Sequence, residues 1–206
     1  MRKETLKEIA RQAIEDMALE ARFRPEDHQV LLKHKDSLLA LTDELVKAFY
    51  DALFATPSTR KVFHEGERPA REKTLRDWWQ KTVEGPVDEE YWAWQAYVGL
   101  IHVKREVSNP MMLGQAFMIE DLVRTHLDDP EVAGAMRRLM ATVAAIIAYG
   151  YEKAQLLAVE ESTGMGQELI RTHTRSACWR SSPPAAARSG SPHPARLPPG
   201  SIRAPR

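Results

Sequence analysis

The stretch Tyr91-Trp-Ala-Trp-Gln-Ala-Tyr-Val-Gly-Leu-Ile-His-Val103 decides how the rest of the chain is interpreted. It is rich in aromatic and aliphatic residues and is long enough for several helical turns. Asp88 precedes it as a helix N-cap, and the polar turn that follows it closes with Asn109-Pro110. The stretch therefore predicts a buried helix that presents one imidazole, that of His102, near its end.

Helical patterns continue on both sides of this stretch, and strand patterns are nearly absent. Upstream we predict a leading helix over about residues 3–20, a helical region over 25–56 that is broken once near Lys35, and a helix over 69–84. Downstream we predict a helix over 109–127 and a longer one over 130–163. This order predicts an all-α, globin-like helical sandwich, with an extra N-terminal helix and long C-terminal helices.

The pattern divides the chain into a leading helix (residues 1–24), a helical domain (25–168) and a disordered tail (169–206). The tail contains no Asp or Glu and is dominated by Pro, Arg, Ser, Ala and Gly, so it cannot bury a core. One explanation is a basic arm that binds nucleic acid or membrane. We favour another, a frameshift near Thr172 in a GC-rich gene.

Composition excludes several classes of protein. The chain has 29 basic and 29 acidic residues, and through the first 170 positions the basic residues are interspersed with acids, which argues against nucleic acid as the main partner. The single cysteine, Cys178, excludes an internal disulfide framework and favours a reducing cytoplasm. The N-terminus lacks the apolar core of a signal peptide, and no window approaches the roughly 20 apolar residues of a membrane span.

His102 has two interpretations from the residues alone. A single imidazole on an apolar helix face can bind haem iron and leave the opposite coordination position free for a gas. Val98, Gln95, Trp94 and Tyr91, one and two turns back, would form a mostly apolar flank for a flat porphyrin. The alternative is a core histidine satisfied by a backbone carbonyl, which is the commoner case for a lone histidine.

Three short segments resemble one known family. They are Ala48-Phe49-Tyr50-Asp51, then Thr74-Leu75-Arg76 running through Glu84-Gly85 to Val87-Asp88-Glu89-Glu90-Tyr91, and Val98-Gly99-Leu100-Ile101-His102. Over roughly residues 25–165, their order and separations resemble the sensor globins. That family comprises the globin domains of globin-coupled sensors, the haem-containing aerotaxis transducers and the protoglobins.

The resemblance implies haem b with His102 as its proximal ligand, and Tyr50 and Thr74 on the distal, gas-binding side. For Tyr50 the alternative is a hydroxyl that binds a carbonyl, and for Thr74 it is a bond back to its own helix. We also predict pocket walls, each of which has core packing as its alternative: Phe49, Phe63, Trp78, Val98, Met112 and Leu113. Among the other histidines, His64 is the one that we consider as a competing ligand for the iron.

One departure from the family lies after His102. The family usually has a Gly-Leu-Pro stretch and then a Trp-Tyr pair, whereas this chain has Glu106-Val-Ser-Asn-Pro-Met-Met-Leu-Gly114. A thioether does not donate the hydrogen bond that a tyrosine hydroxyl donates. A proximal-side contact is therefore missing or rebuilt, and we disfavour Met111 or Met112 as a second iron ligand.

These observations predict haem-based binding and sensing of a diatomic gas, dioxygen before carbon monoxide or nitric oxide, and no enzyme activity. Helices 110–127 and 130–163 carry small and apolar residues that predict a homodimer, as the corresponding helices form in the resembling family. Their continuation suggests a connector to an output module that has been lost, and a stand-alone globin is the alternative. A haem-free signalling and dimerisation domain, and a haem enzyme acting on nitric oxide or peroxide, also stay open.

Overall fold

The computed structural model describes residues 3–181, which form helices and the segments that connect them, with no strand in this range. Side chains are described for residues 5–177. The chain divides into two compact units at Gly164. The all-α prediction is confirmed.

The first unit contains nine helices within the described range and one short 3-10 turn, Leu19–Ala21. The helices are α1 (Lys3–Glu15), α2 (Pro25–Lys33), α3 (Lys35–Ala40), α4 (Thr42–Ala55), α5 (Pro57–Arg60), α6 (Arg68–Glu84), α7 (Glu89–Lys104), α8 (Asn109–His126) and α9 (Pro130–Thr163).

Helix starts follow the capping chemistry of the sequence. The Asp88 carboxylate accepts a hydrogen bond from the Tyr91 backbone N–H at 2.9 Å. Asp129 does the same for the Glu131 N–H at 2.8 Å. Helices α2, α5, α6, α8 and α9 each have proline in their first turn, where the missing N–H costs no helical bond. The starts of α7, α8 and α9 therefore lie where the sequence predicted them.

Two helical predictions differ from the structure. The leading helix ends at Glu15, because the Arg22 guanidinium folds back and donates to the carbonyls of Glu15 at 2.7 Å and Met17 at 2.9 Å. Carbonyls at a helix C-terminus need such donors. The region over 25–56 is interrupted twice, at His34 and Leu41, instead of once.

Helices α7 and α9 cross closely in the core. A Cβ on Gly99 of α7 would lie 3.1 Å from the Ile147 carbonyl oxygen of α9. Ala96 and Ile146, also at this crossing, are completely buried, and α1 covers them with the buried side chains of Ile9, Ala10 and Ala13. The small residues of α7 therefore fix how the helix that carries His102 lies on α9.

A buried ion pair joins α2 to α9. The Arg138 guanidinium donates to both carboxylate oxygens of Asp27, at 2.9 Å from Nε to Oδ2. Asp27 also accepts from the Arg24 N–H at 2.9 Å. These donors satisfy the buried carboxylate and fix the entry of α2.

Helix α9 is the one helix in the described range that is long and apolar enough to cross a membrane. The sequence predicted no such window. In this fold 56% of the residues in its 18-residue apolar window are buried, and the core helix of a globular domain meets the same criterion of length and composition. Its apolar face packs in the domain core, with Val132, Met136, Leu139 and Val143 among the buried residues.

The second unit contains α10, Gln167–Ser181. A helix here differs from the disordered tail that the composition predicted from residue 169. Local bonds accompany it, such as the Thr174 hydroxyl on the Ile170 carbonyl at 3.0 Å. The remainder of the predicted tail, 182–206, and the Cys178 side chain lie outside the described residues.

Candidate functional site

A cavity of about 360 Å³ lies inside the first unit. Helices α4, α6, α7, α8 and α9 and the segment before α6 supply its walls. Aliphatic, aromatic and thioether side chains make up most of them. The cavity therefore offers a large apolar surface with a few polar groups, which is the usual character of a cofactor or ligand pocket.

Eight of the nine side chains predicted for the site line this cavity. They are Phe49, Tyr50, Phe63, Thr74, Trp78, Val98, His102 and Met112. Leu113, predicted as a wall, does not line the cavity and is 50% exposed on α8. Its neighbour Met112 is buried, and because adjacent helical residues point about 100° apart, the pair cannot share one face.

His102 lies near the end of α7 and is the one imidazole among the described residues that line the cavity. Its Nδ1 is buried and makes no hydrogen bond within the protein. Burial, and then the positive charge of Arg105, lower the pKa of His102 to about 4. The ring is therefore neutral at pH 7, and the carbonyl partner expected of a core histidine is absent from Nδ1.

Tyr50 lines the cavity, but its hydroxyl proton is already engaged in a hydrogen bond within the protein. The hydroxyl donates to the Arg71 carbonyl oxygen at 2.8 Å, which is the alternative that the residues left open. Burial raises the pKa of Tyr50 to about 12, so the phenol is neutral. Because a phenol has one proton, it cannot serve this carbonyl and a ligand in the cavity at the same time.

Thr74 bonds back to its own helix. Its hydroxyl donates to the Ala70 carbonyl at 3.0 Å, one turn earlier in α6. The hydroxyl oxygen keeps lone pairs for a donor in the cavity. Thr74 is thus placed at the cavity wall, with its own proton used inside α6.

Aromatic rings hold the wall around Tyr50. Its ring centroid lies 5.2 Å from that of Phe49 and 6.0 Å from that of Phe63.

The Trp78 indole donates to the side-chain oxygen of the fully buried Gln95 at 3.2 Å. Gln95 and Tyr91, which the sequence analysis placed on the porphyrin flank, are not lining residues. Tyr91 instead shares a hydrogen bond with Thr82 at 3.0 Å.

A charged rim was missed by the sequence analysis. Arg71 and Arg105 are the two charged residues among the described residues that line the cavity, and both contact Glu67. The Arg105 guanidinium, and then the His64 N–H, lower the pKa of Glu67 to about 2. Spacing was the available signal, since Arg105 is three residues after His102 and Arg71 three before Thr74 on the same helices.

His64 does not line this cavity. It is exposed and borders a separate depression of about 330 Å³ beside Phe63. Met111 and Met112 both line the main cavity, on α8. The imidazole that the geometry offers to a cofactor is therefore that of His102.

Comparison with known proteins gives one family. A family model described as Protoglobin matches residues 11–155, which is well over half of the chain and includes every residue named above for the cavity. No curated protein matches the chain.

Proposed function

The chain belongs to the protoglobin family, and from this premise we propose that it binds dioxygen at the iron of a haem b held by His102. The resemblance to this family and the globin-like fold class are confirmed. The family is one of haem-based, gas-binding globins and is generally not enzymatic. The ligand residues, the preference for dioxygen and a sensing role are our proposals.

The neutral imidazole of His102 in the apolar cavity, with its buried Nδ1 free of any hydrogen bond within the protein, is the observation that carries the proposal. A neutral imidazole ligates iron without first losing a proton, so a pKa of about 4 suits ligation at pH 7. The residues therefore fit a haem. When bound, its iron supplies one coordination position to His102 and another to a diatomic gas.

Tyr50 is our proposed donor on the distal side. Its pKa of about 12 keeps the proton on the hydroxyl, and its place in the cavity wall puts that proton near the ligand space. To donate to a ligand, the hydroxyl must leave the Arg71 carbonyl, so its net contribution is smaller than that of a free donor. Thr74 is the proposed second distal residue, as an acceptor or a site for water.

We further propose a homodimer through α8 and α9 that senses gas in the cytoplasm, with carbon monoxide and nitric oxide as further ligands. Phe117 is 64% exposed on α8, beside the half-exposed Leu113. Exposed large apolar side chains at this spacing form a stripe that favours a partner helix. Helix α9 continues to Thr163, which suits a connector to an output module.

The test is an absorption spectrum of the haem-reconstituted protein, reduced and then exposed to air or carbon monoxide. We expect a Soret band that shifts with each gas, that is lost in His102→Ala and that external imidazole restores. His64→Ala is the matched control and should keep the wild-type spectrum. Absence of stoichiometric haem uptake by the unmodified protein would refute the proposal and favour a haem-free helical dimer.

A further inference from the structure

The rim of the cavity holds one carboxylate between two guanidinium groups. The Glu67 Oε2 accepts from Arg105 Nη2 at 2.7 Å, and Oε1 lies 3.1 Å from Arg71 Nε. The Glu67 side chain is 15% exposed, so solvent screens these pairs less than a pair on the open surface. Glu67 and Arg71 belong to the start of α6, whereas Arg105 is the C-cap of α7.

These two arginines stand out from the rest of the cavity wall. Besides His102, all other described lining residues have apolar or uncharged polar side chains. A ligand that matches such a wall has a large apolar body and carboxylates at one edge. Guanidinium groups bind carboxylates through paired, charge-assisted hydrogen bonds.

We propose that Arg71 and Arg105 form a subsite for the two carboxylates of the haem, and that Glu67 occupies this subsite when haem is absent. The inference rests on the proposed function and names how the same cavity orients its cofactor. Glu67 marks the place because it already presents a carboxylate to both guanidinium groups. Its internal contacts compete with the carboxylates of the incoming ligand.

Because Glu67 competes with the haem carboxylates, substitutions at Arg105 and at Glu67 should have opposite effects on haem binding. Loss of Arg105 removes a cation from the subsite and weakens binding of a dicarboxylate porphyrin. Loss of the Glu67 charge frees both arginines and strengthens it. If the ion pairs only held α6 against α7, the two substitutions should have the same effect. Either one would loosen the same helix contact and weaken binding.

The experiment measures equilibrium binding of ferric protohaem and of its dimethyl ester, whose carboxylates are blocked, to the full chain. Quenching of tryptophan fluorescence reports uptake, because Trp78 and Trp94 line the cavity. We expect Arg105→Gln to weaken protohaem binding about tenfold and to leave ester binding nearly unchanged. Glu67→Gln should tighten protohaem binding. Arg68→Gln is the control, because Arg68 pairs with Asp51 and Glu72 and does not line the cavity.

Each outcome decides between the alternatives. Equal losses for protohaem and ester in Arg105→Gln, or weaker protohaem binding in Glu67→Gln, would overturn the subsite while leaving haem binding intact. Failure of both porphyrins to bind the unmodified protein would overturn the proposed function and the subsite with it. Tighter binding by Glu67→Gln cannot result from misfolding, so this variant keeps the test valid if Arg105→Gln folds poorly.

Discussion

Two buried tyrosines near the cavity differ in what their hydroxyl groups contact. Tyr50 donates to the Arg71 carbonyl, whereas the Tyr151 hydroxyl is buried without a hydrogen-bond partner in the protein. The Tyr151 ring stands edge-on to His102, with centroids 6.4 Å apart. An unsatisfied buried hydroxyl costs free energy, so the Tyr151 hydroxyl lowers the stability of the folded protein beside the proposed iron ligand.

We predict opposite effects from removing these two hydroxyl groups in the haem-free protein. Tyr50→Phe should lower the free energy of unfolding by about 1–2 kcal/mol, because it leaves the Arg71 carbonyl without its donor. Tyr151→Phe should leave that free energy unchanged or raise it by up to about 1 kcal/mol. Urea denaturation followed by circular dichroism measures both. An equal loss in the two variants would mean that a bound water satisfies Tyr151.

Residue-scale prediction from sequence depended on the family resemblance. His102, Tyr50 and Thr74 were found because they lie within recognisable segments, and all three line one cavity. The sequence left a carbonyl partner open for the Tyr50 hydroxyl but did not identify it as that of Arg71, since a carbonyl is present at every residue and its availability depends on tertiary packing. Arg105 was missed because a charged residue at a helix end is usually solvated.

At the scale of elements, the crossing of α7 and α9 sets the position of His102. The Gly99 Cα approaches Ile147 so closely that an added Cβ would lie 3.2 Å from the Ile147 Cα. The contact is with backbone, which cannot rotate away as a flexible side chain can. Separation of the two helices would therefore be the main way to accommodate a larger residue.

Gly99→Ala should lower the free energy of unfolding by about 1–3 kcal/mol, despite the higher helix propensity of alanine. Gly134→Ala in α9 is the matched control, because its Cβ would meet only the Arg138 guanidinium, at 3.6 Å. The control should be neutral or up to about 1 kcal/mol more stable. Thermal or urea denaturation compares them, and a Gly99 variant as stable as the control would show that the crossing can relax.

The ion pair between Glu67 at the start of α6 and Arg105 at the end of α7 predicts that the free energy of unfolding depends on pH. The pKa of Glu67 falls from 4.5 to about 2, so its stabilising contribution is complete above about pH 4.5 and disappears as the pH falls towards 2. For this partly exposed group we expect a contribution on the order of 2 kcal/mol. Unfolding curves of Glu67→Gln should therefore change less between pH 5 and about pH 2 than those of the wild type. Parallel pH profiles would contradict this assignment.

Helix boundaries were predictable where local chemistry sets them. Asp88 and the first-turn prolines gave the starts of α7, α8 and α9 within a few residues. The early end of α1 was not predictable, because Arg22 caps it from beyond the helix. The break at His34 lies beside the one that the sequence predicted near Lys35. The break at Leu41 was hidden, since Leu38 and Leu45 continue one apolar pattern across it while belonging to different helices.

At the scale of the whole molecule, the outer face of α8 carries exposed apolar side chains. Phe117 and Leu113 lie one turn apart and are largely exposed, and Gly114 between them has no atom near its Cβ position. The same helix turns Met112, Ile119 and Val123 into the core. An exposed apolar face on a helix whose opposite face is buried favours burial against a second copy in the proposed dimer.

We therefore expect Phe117→Glu to convert the proposed dimer into a monomer, because the charge would lose its hydration when the face that also contains Leu113 and Gly114 is buried. Leu19→Glu is the matched control. Leu19 is also an exposed apolar residue, in the 3-10 turn after α1, and its replacement should leave self-association unchanged. Sedimentation equilibrium over a range of concentrations measures the change. A dimer that survives in Phe117→Glu with unchanged affinity would move the interface away from this face of α8, and a dimer lost in both variants would show that the effect is not specific to this face.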